Sequence, residues 1–496
     1  MFFFRQISSS TSAKIPSKEK VMITFIVSAC ILVLGYLIYG KFAVKTFGAD
    51  PSIETPAVRL ADGVDYVTLP TWKSFLIQFL NIAGTGPIFG AIAGAMWGPS
   101  AFLWISLGCV FGGAIHDYMI GMMSVRSNGA SVSELVGQNL GEAARKVMIV
   151  FSILLLLLVG VVFISSPADL LSSLTHVNRW FWIAIIVIYY LLATVLPIDK
   201  IIARIYPVFG ISLFIMAIGI IGAMIMKGYF VQIPELTFSN PHIEGKSIFP
   251  YLFISIACGA ISGFHATQSP MMARCMKSES EGRKIFYGAM IAEGFIALIW
   301  AAAAMTFFGG LEGLALEGGK AAVIVNKISE GLMGKTGMVL AILGVVACPI
   351  TSGDTAFRSI RLTIADAFKI NQEKSMTRYK IAIPVFLIAV VLLFVDFQII
   401  WRYFSWANQT LAAIALWAAS AYLKRKGKNY FVALLPAIFM SIVVTSYIII
   451  APEGFGALFN GNVELSETVG LFSGIFVALM ATIAFIKFIS NHEKVA

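Results

Sequence analysis

Apolar runs about long enough to cross a hydrocarbon layer recur along the chain. They fall near 22–42, 76–97, 99–124, 146–166, 180–198, 203–226, 248–268, 284–308, 336–366, 379–395, 398–422, 429–450 and 466–489. Continuous runs of this kind predict helices, because barrel strands would alternate apolar and polar residues over segments of about ten. The pattern therefore predicts an all-α polytopic membrane protein with about thirteen transmembrane helices. The segment 318–330 is amphipathic and reads as a short surface helix.

Two runs are interrupted at mid-depth. QFLNIAGTGPIFGAIAG (78–94) places Gly84, Gly86 and Pro87 in its middle, and Pro87 removes a backbone donor and disfavours helix just before it. YLFISIACGAISGFHATQSP (251–270) does the same with Gly259, Gly263 and Pro270. Taken singly, such glycines serve close helix packing equally well. Taken together, the breaks fall in the second and seventh spans, five apart. Matched interruptions in two halves point to a transporter built from inverted repeats. An odd number of spans per repeat makes the second enter from the opposite side. The expected organisation is a tail, first helix and loop over 1–75, a five-helix repeat over 76–226, a second over 248–422, and two accessory helices over 429–496.

Composition narrows the class. Hydrophobic residues make up 58% and charged residues 12%, against about 45–50% and about 25% in ordinary globular chains. Disordered, collagenous, coiled-coil and disulfide-stapled secreted classes are excluded. The net charge of +10 reads as the basic excess of cytoplasmic loops and not as a nucleic-acid interface. With thirteen spans and the C-terminus inside, most of the 36 Lys and Arg residues lie on the cytoplasmic side. Arg5, Lys14, Lys18 and Lys20 of the tail oppose that orientation. No small-residue cleavage site follows the first run, so 22–42 is expected to be a retained helix. The cysteines at 30, 109, 258, 275 and 348 form no CxxC pair and read as small core residues.

The stretches NIAGTGPIFG, GGAIHDYMIGMMSVRSNGASVSELVG, FPYLFISIACGAISGFHATQSP, TSGDTAFRSIRLTIADAF and WANQTLAAIALWAASAYLKRKGKNYFVALLPA resemble the carbon starvation protein CstA family. The resemblance runs from about residue 50 onward. It implies a bacterial inner-membrane transporter for pyruvate or peptides, used during nutrient limitation. It also implies a LeuT-like fold, a 5+5 inverted repeat with accessory helices. Longer members carry an extra N-terminal helix and a large insertion, so this chain corresponds to a short form.

Ionisable groups inside spans are costly and each needs a reason. His116 and Asp117 lie in the third span; Asp117 either pairs with Arg126 or another inside cation, or couples a proton or cation. The resemblance matches this pair to a recurring HD motif. His265 follows the second break, as a histidine donating to a freed carbonyl or as a substrate contact or proton relay, with Thr267, Gln268 and Ser269 nearby. Glu293 lies deep in an apolar helix with no cation within a turn, either hydrogen-bonded to a neighbouring helix or carrying a proton. The resemblance also places an acid there.

Asp354 and Arg358, at i and i+4, suit an intrahelical ion pair. In the LeuT-like arrangement that helix faces the first break, where the Ala83 carbonyl, Thr85, Thr351, Ser352 and Thr355 offer oxygens to a cation. Asn81, Asn408 and Gln409 read as interhelical hydrogen bonds. The expected substrate contacts are Asn81, Gly84, Thr85, Gly86, Gly259, Ser262, Gly263 and His265, chiefly through free N–H groups at half-helix N-termini. The expected coupling groups are His116, Asp117, Glu293, Thr351, Ser352, Asp354 and Thr355, with sodium or a proton as coupling ion and no other cofactor.

There is no HExxH and no Walker A motif, so the reading is a secondary symporter. A channel, or an intramembrane metal enzyme using His116, Asp117 and His265, stands as the alternative. Expected partners are a small carboxylate or peptide and the lipid bilayer, without nucleic acid.

Overall fold

The computed structural model describes residues 22–63, 66–193, 202–370 and 374–493. Among these residues the regular structure is helical, without a strand. Among the described residues the apolar runs are largely helical, apart from one break in each of 76–97 and 248–268. Eight described helices are long and apolar enough to cross a membrane singly, and the bent pair Thr71–Ile82 and Gly86–Trp97 adds a ninth. Two of the remaining runs are diluted by buried polar residues, whereas Arg179–Ala193 is apolar but only 15 residues long. Phe397–Arg425 carries Asn408 and Gln409, and Ala347–Ala367 carries Ser352, Asp354, Arg358 and Arg361. The amphipathic segment opens a helix at Ala321, which turns at Gly334 (φ 60°) and continues to Ala341.

Both interruptions are real breaks. The first separates Thr71–Ile82 from Gly86–Trp97 with a bend of 49°. Pro87 sits in the first turn of the second piece, where its missing N–H costs no hydrogen bond. The second separates Tyr251–Ser255 from Gly263–Ala273. Gly259 takes φ +88° within it and Ser262 is extended.

One end of the bundle is closed by a hydrogen-bonded layer. Arg126 holds the buried Glu279 through two nitrogens, one at 2.7 Å. The same carboxylate accepts from the Asp50 backbone N–H at 2.8 Å. Arg274 donates to the Gly129 carbonyl at 2.9 Å, and the Leu69 N–H to the Cys275 carbonyl at 3.0 Å. The opposite end holds a cavity of about 560 Å³ whose walls include Trp97, His242, Tyr251, Ser255, Trp401 and Arg402. Arg402 meets Glu453 there at 3.1 Å, and Tyr447 donates to the same carboxylate at 2.5 Å.

His242 lies in the loop bordering that cavity. Its ring packs on Trp97 at a tilt of 52° with centroids 4.4 Å apart, and its Nδ1 accepts from the Glu244 N–H at 3.2 Å. Burial, reinforced by the Lys246 charge, lowers its pKa below the usual 6.5.

Candidate functional site

Glycines bring the two broken helices into contact. A Cβ on Gly86 would lie 2.4 Å from the Cys258 sulfur, one on Gly90 3.0 Å from the Ser255 carbonyl oxygen, and one on Gly94 2.3 Å from the Ile256 side chain. These residues recur every four positions and so share one helix face. The third span reaches the second break the same way, since a Cβ on Gly113 would lie 2.3 Å from the Ala260 carbonyl oxygen. Gly113 ends a π-helical stretch at Gly108–Gly113, and His116 and Asp117 follow in the next turn. From the other side, Ala297 packs on Gly259, one turn beyond Glu293.

These approaches assemble a chain of ionisable side chains, all fully buried. His116 Nδ1 lies 2.8 Å from one oxygen of Asp117, and His265 Nδ1 lies 2.9 Å from the other. On the far side of the ring, His265 Nε2 lies 3.3 Å from the Glu293 carboxylate. That contact has ion-pair distance but not hydrogen-bond alignment, and both Glu293 oxygens are unpartnered among the described residues. The Gly259 N–H borders Glu293, and the Cys258 thiol borders His265. Four titratable groups from three helices thus run in series beside the second break.

The series is chemically able to pass a proton. Asp117 accepts from two imidazoles, and each imidazole exchanges a proton at one nitrogen while holding one at the other. Among the described residues, Cys258, His265 and Glu293 also place donor atoms within 4.8 Å of one another, a set able to hold a metal ion. The Cys258 sulfur is engaged within the break itself, by Ser262 at 3.5 Å and by the Asn408 amide at 3.4 Å.

Other expected residues fall elsewhere. Asp117 does not pair with Arg126, which is committed to Glu279. Asp354 lies 3.7 Å from Arg358 within its own helix, and Arg358 donates to the Ala193 carbonyl at 2.8 Å. This is the intrahelical pair that the i, i+4 spacing allows. Ser352 does face the first broken helix and donates to the Leu80 carbonyl at 3.1 Å, whereas Thr355 bonds back to Ser352 at 2.8 Å. The Thr351 side chain lies outside the described residues.

At the first break, Asn81 and Thr85 are buried with unpartnered oxygens, and Gly84 packs on Phe163. At the second, Asn408 occupies the half-helix N-terminus. Its oxygen accepts from the Phe264 N–H at 2.7 Å and from the Ser262 hydroxyl at 3.1 Å. A Cβ on Gly263 would lie 2.3 Å from the Asn408 carbonyl oxygen, so nothing larger fits. Gln409 holds the Phe253 carbonyl. Both amides are interhelical hydrogen bonds, as expected. Sequence reasoning did not single out Glu279, His242 or the position of Cys258. Only Cys258 carried a local signal, standing next to Gly259 inside the broken run.

Solved structures share this architecture. The manganese transporter of Eremococcus coleocola aligns over 86% of this chain and 99% of its own, with 13% identity and a TM-score of 0.51, or 0.54 for one of its mutants. Mhp1 in its inward-facing conformation aligns over 84% of this chain and 91% of its own, with 15% identity and a TM-score of 0.51. The fold and the paired breaks define a polytopic membrane protein of the LeuT-like inverted-repeat architecture. The family described as Carbon starvation protein CstA matches residues 20–173, 165–311 and 301–447, and the chain belongs to it.

An uncharacterized membrane protein of Haemophilus influenzae is 42% identical over 339 residues, 58% of this chain and 91% of its own length. The peptide transporter CstA of Helicobacter pylori is 29% identical over 55% of this chain and 49% of its own. The pyruvate/proton symporter BtsT of Escherichia coli is 28% identical over 58% and 49%. The chain spans about half the length of these two named transporters.

Proposed function

We propose that the protein is a secondary active symporter that takes up a small carboxylate, pyruvate or a short peptide, across the bacterial inner membrane with protons. The observation that carries this reading is the buried series His116–Asp117–His265–Glu293 beside the second break. Protonation of Glu293 alters the charge facing Gly259 and Cys258, and with it the relative stability of the break's conformations. A ligand or proton shifts such an equilibrium only through differential interaction with its two states, and this contact supplies one. The 560 Å³ cavity at the opposite end from the Arg126–Glu279 layer is the entrance. The Lys- and Arg-rich end, with the C-terminus, faces the cytoplasm. Naming of the relatives as pyruvate/proton symporter and peptide transporter supports the substrate class.

The test is uptake of radiolabelled pyruvate into proteoliposomes under an imposed pH gradient, with a sodium gradient as second arm and dialanine as competitor. Accumulation driven by the pH gradient alone is expected. Accumulation driven by sodium alone would contradict proton coupling, and absence of pyruvate uptake alongside dialanine uptake would assign the peptide.

A further inference from the structure

The helix Thr71–Ile82 carries a polar stripe that extends well beyond Asn81, the one residue on it expected to meet substrate. Ser74, Gln78 and Asn81 follow one another at steps of four and three, which places them on one face, and Thr85 stands beyond them in the break. Gln268 lies on the helix after the second break, next to Ser269, which Gln78 meets. Each is at most 1% exposed. Each has an unpartnered oxygen among the described residues: Ser74 Oγ, Gln78 Oε1, Asn81 Oδ1, Thr85 Oγ1 and Gln268 Oε1. Buried polar atoms without partners are rare, and a succession of them marks a place for water, which needs two to four polar partners.

The stripe meets the backbone of the turn that carries His265 at Gln78, and a carboxylate at its start. Gln78 Nε2 donates to Ser269 Oγ at 3.4 Å, and Ser269 Oγ donates to the His265 carbonyl at 3.0 Å. At the closed basic end, Thr71, on the stripe's own face three residues before Ser74, donates to the partly buried Glu281 at 2.6 Å.

We infer that the five oxygens line a chain of water molecules that runs from the first break past the His265 turn to Glu281 at the basic end and conducts the proton along it. The lining is neutral and presents acceptors, so it orders water and passes a proton without trapping a charge. The inference rests on the proton-coupled reading above. Its test does not, because it reads water and not transport.

Gln78→Cys, Asn81→Cys and, as a control off the stripe at the same depth, Ile77→Cys are placed in inverted membrane vesicles. They are exposed to N-ethylmaleimide and read peptide by peptide by mass spectrometry, so the native cysteines remain. The two stripe positions are expected to react at least about tenfold faster than position 77, since thiol reactivity follows water access. Equal rates at 77 and at the stripe would overturn the inference. Asn81→Cys serves alone if Gln78→Cys does not accumulate. A positive labelling result with no pH-driven uptake would leave the water path standing and remove the coupling.

Discussion

One carboxylate, Asp117, lies within 2.9 Å of Nδ1 of both His116 and His265, with all three side chains fully buried. The arrangement fixes the tautomer of each ring, because each Nδ1 must donate for both contacts to hold. His265 then presents its Nε2 lone pair to Glu293. Asp117→Asn replaces one acceptor by a donor, so one imidazole has to reverse its tautomer. Proton-driven uptake should fall by about 100-fold, the scale of one positioned proton-transfer group. Asp117→Ala should lower stability by about 1–3 kcal/mol for each buried imidazole N–H left without an acceptor. Pyranine-loaded proteoliposomes measure the first and thermal unfolding in detergent the second. Unchanged proton uptake in Asp117→Asn would take Asp117 out of the relay.

The glycine contacts rank their own substitutions. At Gly263 an added Cβ meets backbone, the Asn408 carbonyl oxygen at 2.3 Å and the Ala412 nitrogen at 2.6 Å, and neither can move alone. At Gly90 the nearest atom is the Ser255 carbonyl oxygen at 3.0 Å. Gly263→Ala should therefore cost the most, at or above about 1–3 kcal/mol for overpacking, and Gly90→Ala less. Melting temperatures of the two variants check the order. A Gly90→Ala protein less stable than Gly263→Ala would contradict the packing described.

Much of this framework was legible because it is local. Gly84, Gly86 and Pro87 break a helix through their own backbone chemistry, as do Gly259 and Gly263, and the five-span offset between the breaks follows from counting apolar runs. The i, i+4 spacing of Asp354 and Arg358 likewise announced their pair. The relay was legible only as separate residues. That Asp117 meets His265, and His265 meets Glu293, depends on Gly113 packing against Ala260 and Ala297 against Gly259, contacts between residues far apart in the chain. The Arg126–Glu279 pair spans 153 positions and left no local trace. For the same reason the N-terminus at Gly263 looked free to bind substrate, although Asn408 fills it from a distant helix.

The cavity loop should respond to acid. His242 has a lowered pKa in the folded protein, through burial and the Lys246 charge, relative to 6.5 unfolded. The fold thus favours the neutral ring, whose Nδ1 accepts from the Glu244 N–H. For a base with a depressed folded pKa, this contribution is fully present above 6.5 and fades as pH falls below it. Amide exchange across 240–247, corrected for its intrinsic pH dependence, should quicken from about pH 7.5 to about pH 5.5. His242→Gln should abolish that difference. Equal protection of the wild-type loop at both pH values would contradict it.

Metal removal separates the relay from the alternative use of Cys258, His265 and Glu293. Because the sulfur is bound within the break by Ser262 and Asn408, uptake after dialysis against EDTA should equal that of untreated protein. Stoichiometric zinc in the purified protein, with uptake lost on chelation, would reassign these three side chains as ligands.

The proposed coupling of the proton to the second break through Glu293 is read out by Glu293→Gln. The amide keeps the shape of the carboxyl and an oxygen toward Gly259 but carries no exchangeable charge. Two rates are compared in proteoliposomes: accumulation of labelled substrate driven by a pH gradient, and exchange of labelled for unlabelled substrate with no gradient. The account predicts that accumulation is lost while exchange continues at a rate independent of pH. Gradient-driven accumulation that persists in Glu293→Gln would contradict it.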